Sequence, residues 1–296
     1  MTFEKIIDDF QVEDIILCPE GILYFKEKNW HGPEKSNLTN DKAQLWELAR
    51  KIAESASLSL GLTQPSVDAL LSLSSQQNFR AHVVIPPMVL SGPTITLRRL
   101  PVSQRFPLSS FSDNSIIIKT LEESLKNSES FLIAGATGSG KTTLVNSLIE
   151  NLPMNSRIII LEDSPEIPVP NSLSSKLLAR NNRFGFRQGA SWNLSDLVFE
   201  SLRMRPERLI LGECRGPEAL ALAHALQTGH KGLITTIHAG NKDEAQNRFI
   251  ELASQQSEFS IDQLSQCWDN IIVIENHTQG SRKIKEYWKR SQGMLL

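Results

Sequence analysis

A glycine-rich run around one lysine constrains the fold of this chain more than any other feature. It lies between an apolar stretch, residues 131–134, and a stretch with helical periodicity, residues 143–149. The run consists of Gly135, Ala136, Thr137, Gly138, Ser139, Gly140, Lys141, Thr142 and Thr143. A strand, a glycine-rich turn and a helix in this order are typical of a P-loop, whose backbone N–H groups point at phosphate. An ordinary turn before a helix is the alternative, but the fixed residue identities in these surroundings favour the P-loop.

Each polar side chain of a P-loop has a defined task. Lys141 would reach the β- and γ-phosphates of a nucleoside triphosphate, and the Thr142 hydroxyl would ligate Mg²⁺. The helix that follows would present the positive end of its dipole to the same phosphates. The run therefore predicts a site for ATP and Mg²⁺.

Length, charge and cysteine content limit the remaining possibilities. The chain has 296 residues, enough for two domains, and a formal net charge of −2, so no basic field argues for nucleic acid. Its cysteines, Cys18, Cys214 and Cys267, are far apart, which favours a reducing cytosol and argues against a cysteine-based zinc site. No apolar run is long enough to span a bilayer, and the acidic N-terminus is unlike a signal peptide. We expect a cytoplasmic protein that reaches a membrane only through a partner.

The two halves of the chain show different patterns. Residues 1–101 predict a small α+β domain, and residues 102–114 predict a linker. Within the first domain we expect a helix over 43–60 and four strands, at 15–18, 22–25, 81–85 and 94–97. From residue 115 to 296, strands and helices alternate, which is typical of a mostly parallel, doubly wound sheet.

Four apolar runs in the second half each end in polar or glycine-rich residues. The runs are 131–134, 157–161, 208–211 and 232–237. Ligands of open parallel sheets bind outside the carboxyl ends of the strands. One crevice is therefore predicted to collect Lys141, Glu162, Glu213 and His238.

The carboxylates at these strand ends are candidates for metal binding and for catalysis. Glu213 could hold the Mg²⁺ shell through water or orient the attacking water, unless it is a solvated loop residue. Glu162 could act as general base or polarise water, with Asp163 and Glu166 as alternatives. The sequence leaves open which carboxylate has which task.

Two histidines flank the last of these strands. A neutral imidazole at His238 would face the γ-phosphate and could report its presence, and His230 is a second candidate on the same reasoning. A structural role is the alternative for both.

Phosphoryl transfer also needs cations where negative charge develops. Arg80 and Arg98 flank the junction between the two halves, and Arg215 follows Glu213 closely. All three are candidates for phosphate contact, with surface ion pairs as the alternative. Arg203 and Arg205 are expected to organise a helix end and a subunit contact.

Together these segments resemble the ATPase superfamily of type II and type IV secretion, conjugation and type IV pilus systems. Residues 135–143 resemble its Walker A motif, 160–166 its aspartate box, 203–216 its Walker B region and 228–239 its histidine box. Residues 65–69, 80–87 and 91–99 match its first domain. Within this superfamily, the residues of these motifs are most similar to those of the Tad/Flp pilus assembly ATPases and the conjugation ATPases.

This resemblance implies a RecA-like P-loop domain preceded by a PAS-like domain, assembled as a homo-hexamer. ATP would lie between the domains, with Arg80 and Arg98 at the positions of the family's phosphate-contacting arginines. Hydrolysis would drive pilus assembly or macromolecular secretion across the bacterial envelope, through an inner-membrane platform or secretion-channel protein.

Two other functions remain open on the sequence alone. One is a regulatory switch that binds a nucleoside triphosphate and turns over slowly; the other is a nucleic-acid motor of the RecA-like class. The slightly acidic charge balance and the absence of a basic, aromatic-rich tract argue against direct contact with nucleic acid.

Overall fold

A computed structural model describes residues 3–9, 11–26, 33–36, 41–56, 58–74, 77–100, 106–179, 192–255, 259–276 and 282–295. These residues form two compact units, the first ending at residue 100 and the second beginning at residue 106. The α/β class agrees with the sequence prediction.

The first unit is an antiparallel sheet with helices on one face. Its strands are β1 (Val12–Cys18), β2 (Gly21–Lys26), β3 (Glu34–Ser36), β4 (Ser66–Ser74), β5 (Gln77–Val84) and β6 (Thr94–Arg99), in the order β3-β2-β1-β6-β5-β4. Its helices are α1 (Phe3–Asp8) and α2 (Lys42–Ser55). Side chains alternate along each strand, so Ala81, Val83, Ile95 and Leu97 face the core that both helices share. The other face of these strands carries polar residues.

The predicted strands of the first unit are present, but its helix is shorter than predicted. Helix α2 ends at Ser55, five residues before the predicted end at residue 60. Serine competes with the helix by bonding to nearby backbone, and the Ser55 hydroxyl donates to the Ile52 carbonyl. Strands β3 and β4 are additions to the prediction.

The second unit is a doubly wound sheet. Its strands are β7 (Phe131–Ala134), β8 (Ile158–Glu162), β9 (Ser175–Leu178), β10 (Arg208–Leu211), β11 (Leu233–Ile237), β12 (Asn270–Asn276), β13 (Arg282–Lys289) and β14 (Gly293–Met294). The order is β14-β13-β12-β7-β11-β10-β8-β9, and β12 to β9 are parallel, whereas β13 and β14 are antiparallel.

Helices cover both faces of this sheet. They are α3 (Ser115–Lys126), α4 (Lys141–Glu150), α5 (Leu194–Leu202), α6 (Glu218–Gln227), α7 (Lys242–Ser254) and α8 (Ile261–Ser265). Helices α3 and α4 contribute Leu121 and Leu148 to one core cluster. Helices α5, α6 and α7 contribute Val198, Leu222 and Phe249 to the other. The parallel strands β7, β8, β10 and β11 are buried on both sides, as the continuous apolar runs predict.

The segment predicted as a linker belongs in part to the second unit. Residues 102–105 lie outside the described residues, but Leu108 and Phe111 are buried in the cluster of α3 and α4. Residues 108–110 form a short 3₁₀ helix. Because these apolar side chains pack onto the sheet, we propose that the second domain begins near residue 106 rather than 115. No helix in the described part of the chain is long and apolar enough to cross a membrane.

Candidate functional site

The glycine-rich loop connects β7 to α4 in the conformation that a phosphate cradle needs. Gly138 and Gly140 have φ angles of +75° and +97°, in the left-handed region that favours glycine, and α4 begins directly after Gly140. A Cβ atom on Gly135 would overlap the Ser139 hydroxyl and lie 2.6 Å from the Ile274 carbonyl oxygen. The loop can therefore take this shape only with glycine at these positions.

The amine of Lys141 lies at the centre of this loop. Its Nζ atom donates to the carbonyl oxygens of Gly135 and Ala136, at 2.9 Å each, and lies 3.3 Å from Nδ1 of His238. Burial lowers the pKa of Lys141, and the negative charge of Glu213 acts in the opposite direction. The loop thus holds a cation among neutral acceptors.

His238 connects Lys141 to Glu213. The Nε2 atom of His238 is 2.8 Å from Oε1 of Glu213. An ammonium group can only donate, so Nδ1 of His238 accepts from Lys141 and Nε2–H donates to the carboxylate. These three side chains form one hydrogen-bonded line.

Strand pairing fixes the positions of Glu213 and His238. Parallel β10 and β11 pair with Leu211 opposite Thr235, and β11 pairs with β7, where the P-loop begins. The Thr236 hydroxyl donates to the Gly212 carbonyl at 2.8 Å, and the Cys214 N–H donates to the Thr236 carbonyl at 2.8 Å. Three neighbouring strand ends therefore bring Lys141, Glu213 and His238 together, as predicted.

Arg215 lies beside this line and is held by carboxylates. It forms an ion pair with Asp163, and its Nη1 atom is 3.8 Å from Oε2 of Glu213. The buried carboxylate of Glu218 accepts from the N–H groups of Arg215 and Gly216, at 2.6 and 2.8 Å. Glu218, which the sequence prediction did not include, therefore shapes the turn that carries Arg215. An acidic residue in the first turn of a helix is the only sequence signal for it.

Glu162 does not join the other three predicted residues. Its side chain is buried and accepts from the N–H groups of Glu166 and Ile167, at 3.0 and 2.9 Å. It also pairs with Lys176 on β9 at 2.9 Å. Burial raises the pKa of Glu162, although Lys176 lowers it in part. The carboxylate turns into the loop that follows β8 because two backbone donors lie there, so the expected convergence of four groups is corrected to three.

His230 and His238 lie at opposite ends of strand β11, His230 before its amino end and His238 after its carboxyl end. With Lys231 and Cys267, His230 lines a cavity of about 310 Å³. Its Nδ1 atom is 3.3 Å from the Thr228 hydroxyl. Since the P-loop lies at the carboxyl end of β7, His230 cannot report a phosphate bound there.

In the first unit, Arg80 and Arg98 are direct neighbours across β5 and β6, on the polar face of the sheet. Arg80 lies 3.8 Å from Asp68, and Arg98 lies 3.9 Å from Asp14; their side chains are 39% and 68% exposed. Both ion pairs are long, so neither guanidinium is held firmly. Of the arginines predicted elsewhere, Arg203 caps the end of α5 and lies 3.6 Å from Glu200, while Arg205 is exposed.

The residues of the loop fit a phosphate chain with its magnesium ion. The Ser139 hydroxyl is buried and has no hydrogen-bond partner among the residues that the structure describes. Thr142 is half-buried and follows Lys141 in the first turn of α4. Hydroxyl and carboxylate oxygens are ligands that Mg²⁺ prefers, and Thr142 and Glu213 could supply them, the latter through water.

Comparisons with known proteins agree with this geometry. The family model described as "Type II/IV secretion system protein" matches residues 66–278. The chain is 28% identical to the conjugal transfer protein TrbB of Rhizobium radiobacter over 289 residues, 95% of this chain and 84% of that protein. It is 30% identical to the type IV secretion system protein VirB11 of Bartonella quintana over 264 residues, 77% of this chain and 72% of that protein.

Solved structures of similar proteins share the fold. The pilus retraction motor PilT with bound ADP has a TM-score of 0.69 at 19% identity, with 96% of this chain and 80% of that chain covered. The VirB11 ATPase of the Brucella suis type IV secretion system, in complex with sulphate, has a TM-score of 0.52 at 22% identity, with 97% and 92% covered. The predicted order of an N-terminal domain and a RecA-like ATPase domain is therefore confirmed.

Proposed function

Because the chain belongs to the type II/IV secretion system protein family, we propose that it is an ATP hydrolase that drives macromolecular secretion, conjugation or pilus assembly across the bacterial envelope. In this proposal it uses ATP and Mg²⁺ and acts as a homo-hexamer. It works in the cytoplasm, at the inner membrane, on a platform or secretion-channel protein. It does not act directly on nucleic acid.

The line from Lys141 through His238 to Glu213 is the observation that carries the proposal. Lys141 contacts the β- and γ-phosphates, and the backbone N–H groups of residues 135–143 surround them. When bound, Mg²⁺ neutralises charge on the phosphates, and Thr142 and Glu213 are the residues that would hold it. Glu213 also orients the attacking water, because its carboxylate lies at the strand end that faces the loop.

His238 and the arginines complete the proposed machinery. The imidazole of His238 contacts both Lys141 and Glu213, so it is placed to respond when phosphate draws Lys141 away. Arg215 supplies positive charge beside Glu213. Arg80 and Arg98 supply it from the first domain, which their loose ion pairs leave free to reorient. We propose no catalytic role for Glu162, because its carboxylate is already engaged in its own loop.

Two substitutions test the assignment of the site. We expect Lys141→Ala to abolish binding of MgATP, and Glu213→Gln to bind MgATP but to hydrolyse it at least about a hundredfold more slowly. Binding is measured by calorimetry and hydrolysis by phosphate release. Lys231→Ala is the control: Lys231 precedes the amino end of β11, away from the P-loop, so this substitution should change neither binding nor hydrolysis of MgATP. Full hydrolysis by either site variant would contradict the assignment.

The form of the motor is tested by the dependence of the rate on protein concentration. A hexameric motor predicts a specific rate that rises as subunits assemble and that ignores added single-stranded or duplex DNA. A low rate that is independent of concentration would favour the regulatory switch, and stimulation by DNA would favour the nucleic-acid motor. Light scattering on the same samples measures the size of the assembly.

A further inference from the structure

The P-loop has two flanks, and only one of them carries the catalytic groups. In the sheet order β12-β7-β11-β10, Glu213 and His238 follow β10 and β11, on one side of β7. On the other side of β7, Asn276 ends β12 and Arg282 begins β13. The Asn276 side-chain amide donates to the Gly138 carbonyl at 2.7 Å, so the β12–β13 pair is fastened to the P-loop.

On this second flank, Arg282 lies directly against the loop. A Cβ atom on Gly140 would overlap Cδ of Arg282 and lie 2.9 Å from its Nε atom. That Nε atom is buried and has no hydrogen-bond partner among the described residues. Burying an N–H group without an acceptor is costly, so this Nε–H group is a donor that a bound ligand could satisfy.

An aromatic ring supports the same side chain. The guanidinium carbon of Arg282 is 5.2 Å from the ring centroid of Phe106. The Phe106 carbonyl accepts from the Ser147 hydroxyl of α4 at 2.6 Å, and the hydroxyl oxygen lies 3.1 Å from the Thr143 carbonyl oxygen. A planar cation and an aromatic ring are thus held together beside the first turns of α4.

The direction of a bound phosphate chain determines what this flank contacts. The γ-phosphate end has to face Glu213 and His238, where hydrolysis takes place. The nucleoside end then leaves the loop on the side of β12 and β13. Flat guanidinium and aromatic groups are surfaces on which nucleobases stack.

From this arrangement we infer that Arg282 and Phe106 form the subsite for the base of the nucleotide, a purine. The inference rests on the proposed function and adds a specificity-determining pair to it. Stacking depends on ring area more than on the edge of the base, so adenine and guanine are accepted alike and the smaller pyrimidines bind more weakly. The Nε–H of Arg282 supplies one donor to a ring nitrogen or sugar oxygen.

Equilibrium binding separates base contact from phosphate contact. Calorimetry on the full chain compares MgADP, MgGDP, MgCDP and magnesium tripolyphosphate, none of which requires turnover. We expect Arg282→Ala to weaken MgADP and MgGDP binding about tenfold, to reduce the preference for MgADP over MgCDP, and to leave tripolyphosphate binding unchanged. Phe106→Leu should show the same pattern.

Two further variants distinguish stacking from charge. Arg282→Lys keeps the positive charge but loses the planar group, so it should weaken MgADP binding as Arg282→Ala does. Lys283→Ala is the matched control on the same strand, because the Lys283 amine pairs with the exposed carboxylate of Asp113 at 2.9 Å. It should leave MgADP binding unchanged.

Specific outcomes would overturn the inference. If Arg282→Lys retains the MgADP affinity of the wild type, Arg282 acts through its charge on the phosphates and not by stacking on the base. If Arg282→Ala weakens tripolyphosphate binding as much as MgADP binding, Arg282 only maintains the conformation of the loop. Unchanged MgADP binding in Arg282→Ala and Phe106→Leu would remove the subsite. Failure of the proposed function looks different, because Lys141→Ala would then retain tripolyphosphate binding.

Discussion

The Lys141 amine shows how affinity for phosphate is built at the scale of a single residue. Its three partners, two carbonyl oxygens and one ring nitrogen, are all uncharged. Burial lowers its pKa, so the fold carries a cation whose charge is incompletely compensated. An anion placed in the loop would supply the missing compensation. The site therefore gains more from phosphate than an exposed lysine would.

Arg80 and Arg99 of the first unit have different contacts, so we expect their substitution to affect different properties, the hydrolysis rate for Arg80 and the stability for Arg99. Arg80 has one long ion pair on the polar face of the sheet. Arg99 instead donates to the carbonyls of Val12 and Ile7, at 2.8 and 2.6 Å, and lies over the Phe79 ring. We expect Arg80→Ala to slow ATP hydrolysis about a hundredfold without moving the unfolding transition. Arg99→Ala should reduce the free energy of unfolding by about 2–3 kcal/mol.

Chemical denaturation and phosphate release on both variants measure the contrast. If Arg80→Ala destabilises the fold as Arg99→Ala does, the Asp68 ion pair is its main role. If Arg80→Ala changes neither stability nor rate, the phosphate role is wrong.

At the scale of elements, a buried polar network joins the amino end of β12 to α3 and β13. Lys289 donates to the Ser124 hydroxyl at 2.8 Å and pairs with Glu129 at 3.0 Å. The Asn270 amide donates to Glu129 at 3.0 Å, and its carbonyl accepts from the Tyr287 hydroxyl at 2.7 Å. Every member has a partner, so this network sets the register of β12 and β13. The position of Arg282 depends on that register.

Glu129 makes this network dependent on pH. Burial raises its pKa, but hydrogen bonds from Ser124, Asn270 and Lys289 outweigh burial and lower the pKa below its ordinary value of 4.5. A carboxylate whose pKa is lowered by folding stabilises the protein above its ordinary pKa, and this stability is lost as the pH falls through the folded value. We expect Glu129→Gln to cost about 3 kcal/mol at neutral pH, because Lys289 stays buried without its carboxylate.

Denaturant titrations over a range of pH test this prediction. The difference in stability between Glu129→Gln and the wild type should be constant at neutral pH and shrink below pH 4.5. Glu123→Gln, on the exposed side of α3, is the control and should match the wild type throughout. A difference that does not depend on pH would show that the charge of Glu129 contributes nothing.

At the scale of the whole molecule, the features that could be predicted from the sequence are those determined by residues close together in the chain. The P-loop, the four apolar strands and the residues at their ends depend on neighbours in the chain, so Lys141, Glu213 and His238 could be placed together from the sequence. The orientation of Glu162 could not, because it depends on two N–H groups in the next loop and on Lys176 of β9. Arg282 was missed because β12 and β13 reach the P-loop only through pairing with β7, which no local signal shows.

The division into units predicts that the second one folds alone. Both of its core clusters are formed by residues of 106–296. We expect this fragment to unfold cooperatively and to bind magnesium tripolyphosphate, since the P-loop and its flanks are intact. Its ATPase rate should fall about a thousandfold, because Arg80 and Arg98 are absent. Calorimetry and phosphate release measure both properties; a fragment without a cooperative transition, or with an undiminished rate, would contradict the respective part.

The crossed bonds between Thr236, Gly212 and Cys214 have a consequence for motion in the proposed reaction cycle. They attach the ends of β10 and β11 to each other, so the backbone spacing between Glu213 and His238 stays fixed as long as these bonds hold. In that case the site opens and closes through other groups that approach this pair. Such a group is either a long side chain that changes its conformation or a residue of another domain or subunit. The rate of the proposed cycle is therefore controlled by the groups that approach Glu213 and His238. Substitutions that change this rate without changing the pair itself should be sought among those approaching groups.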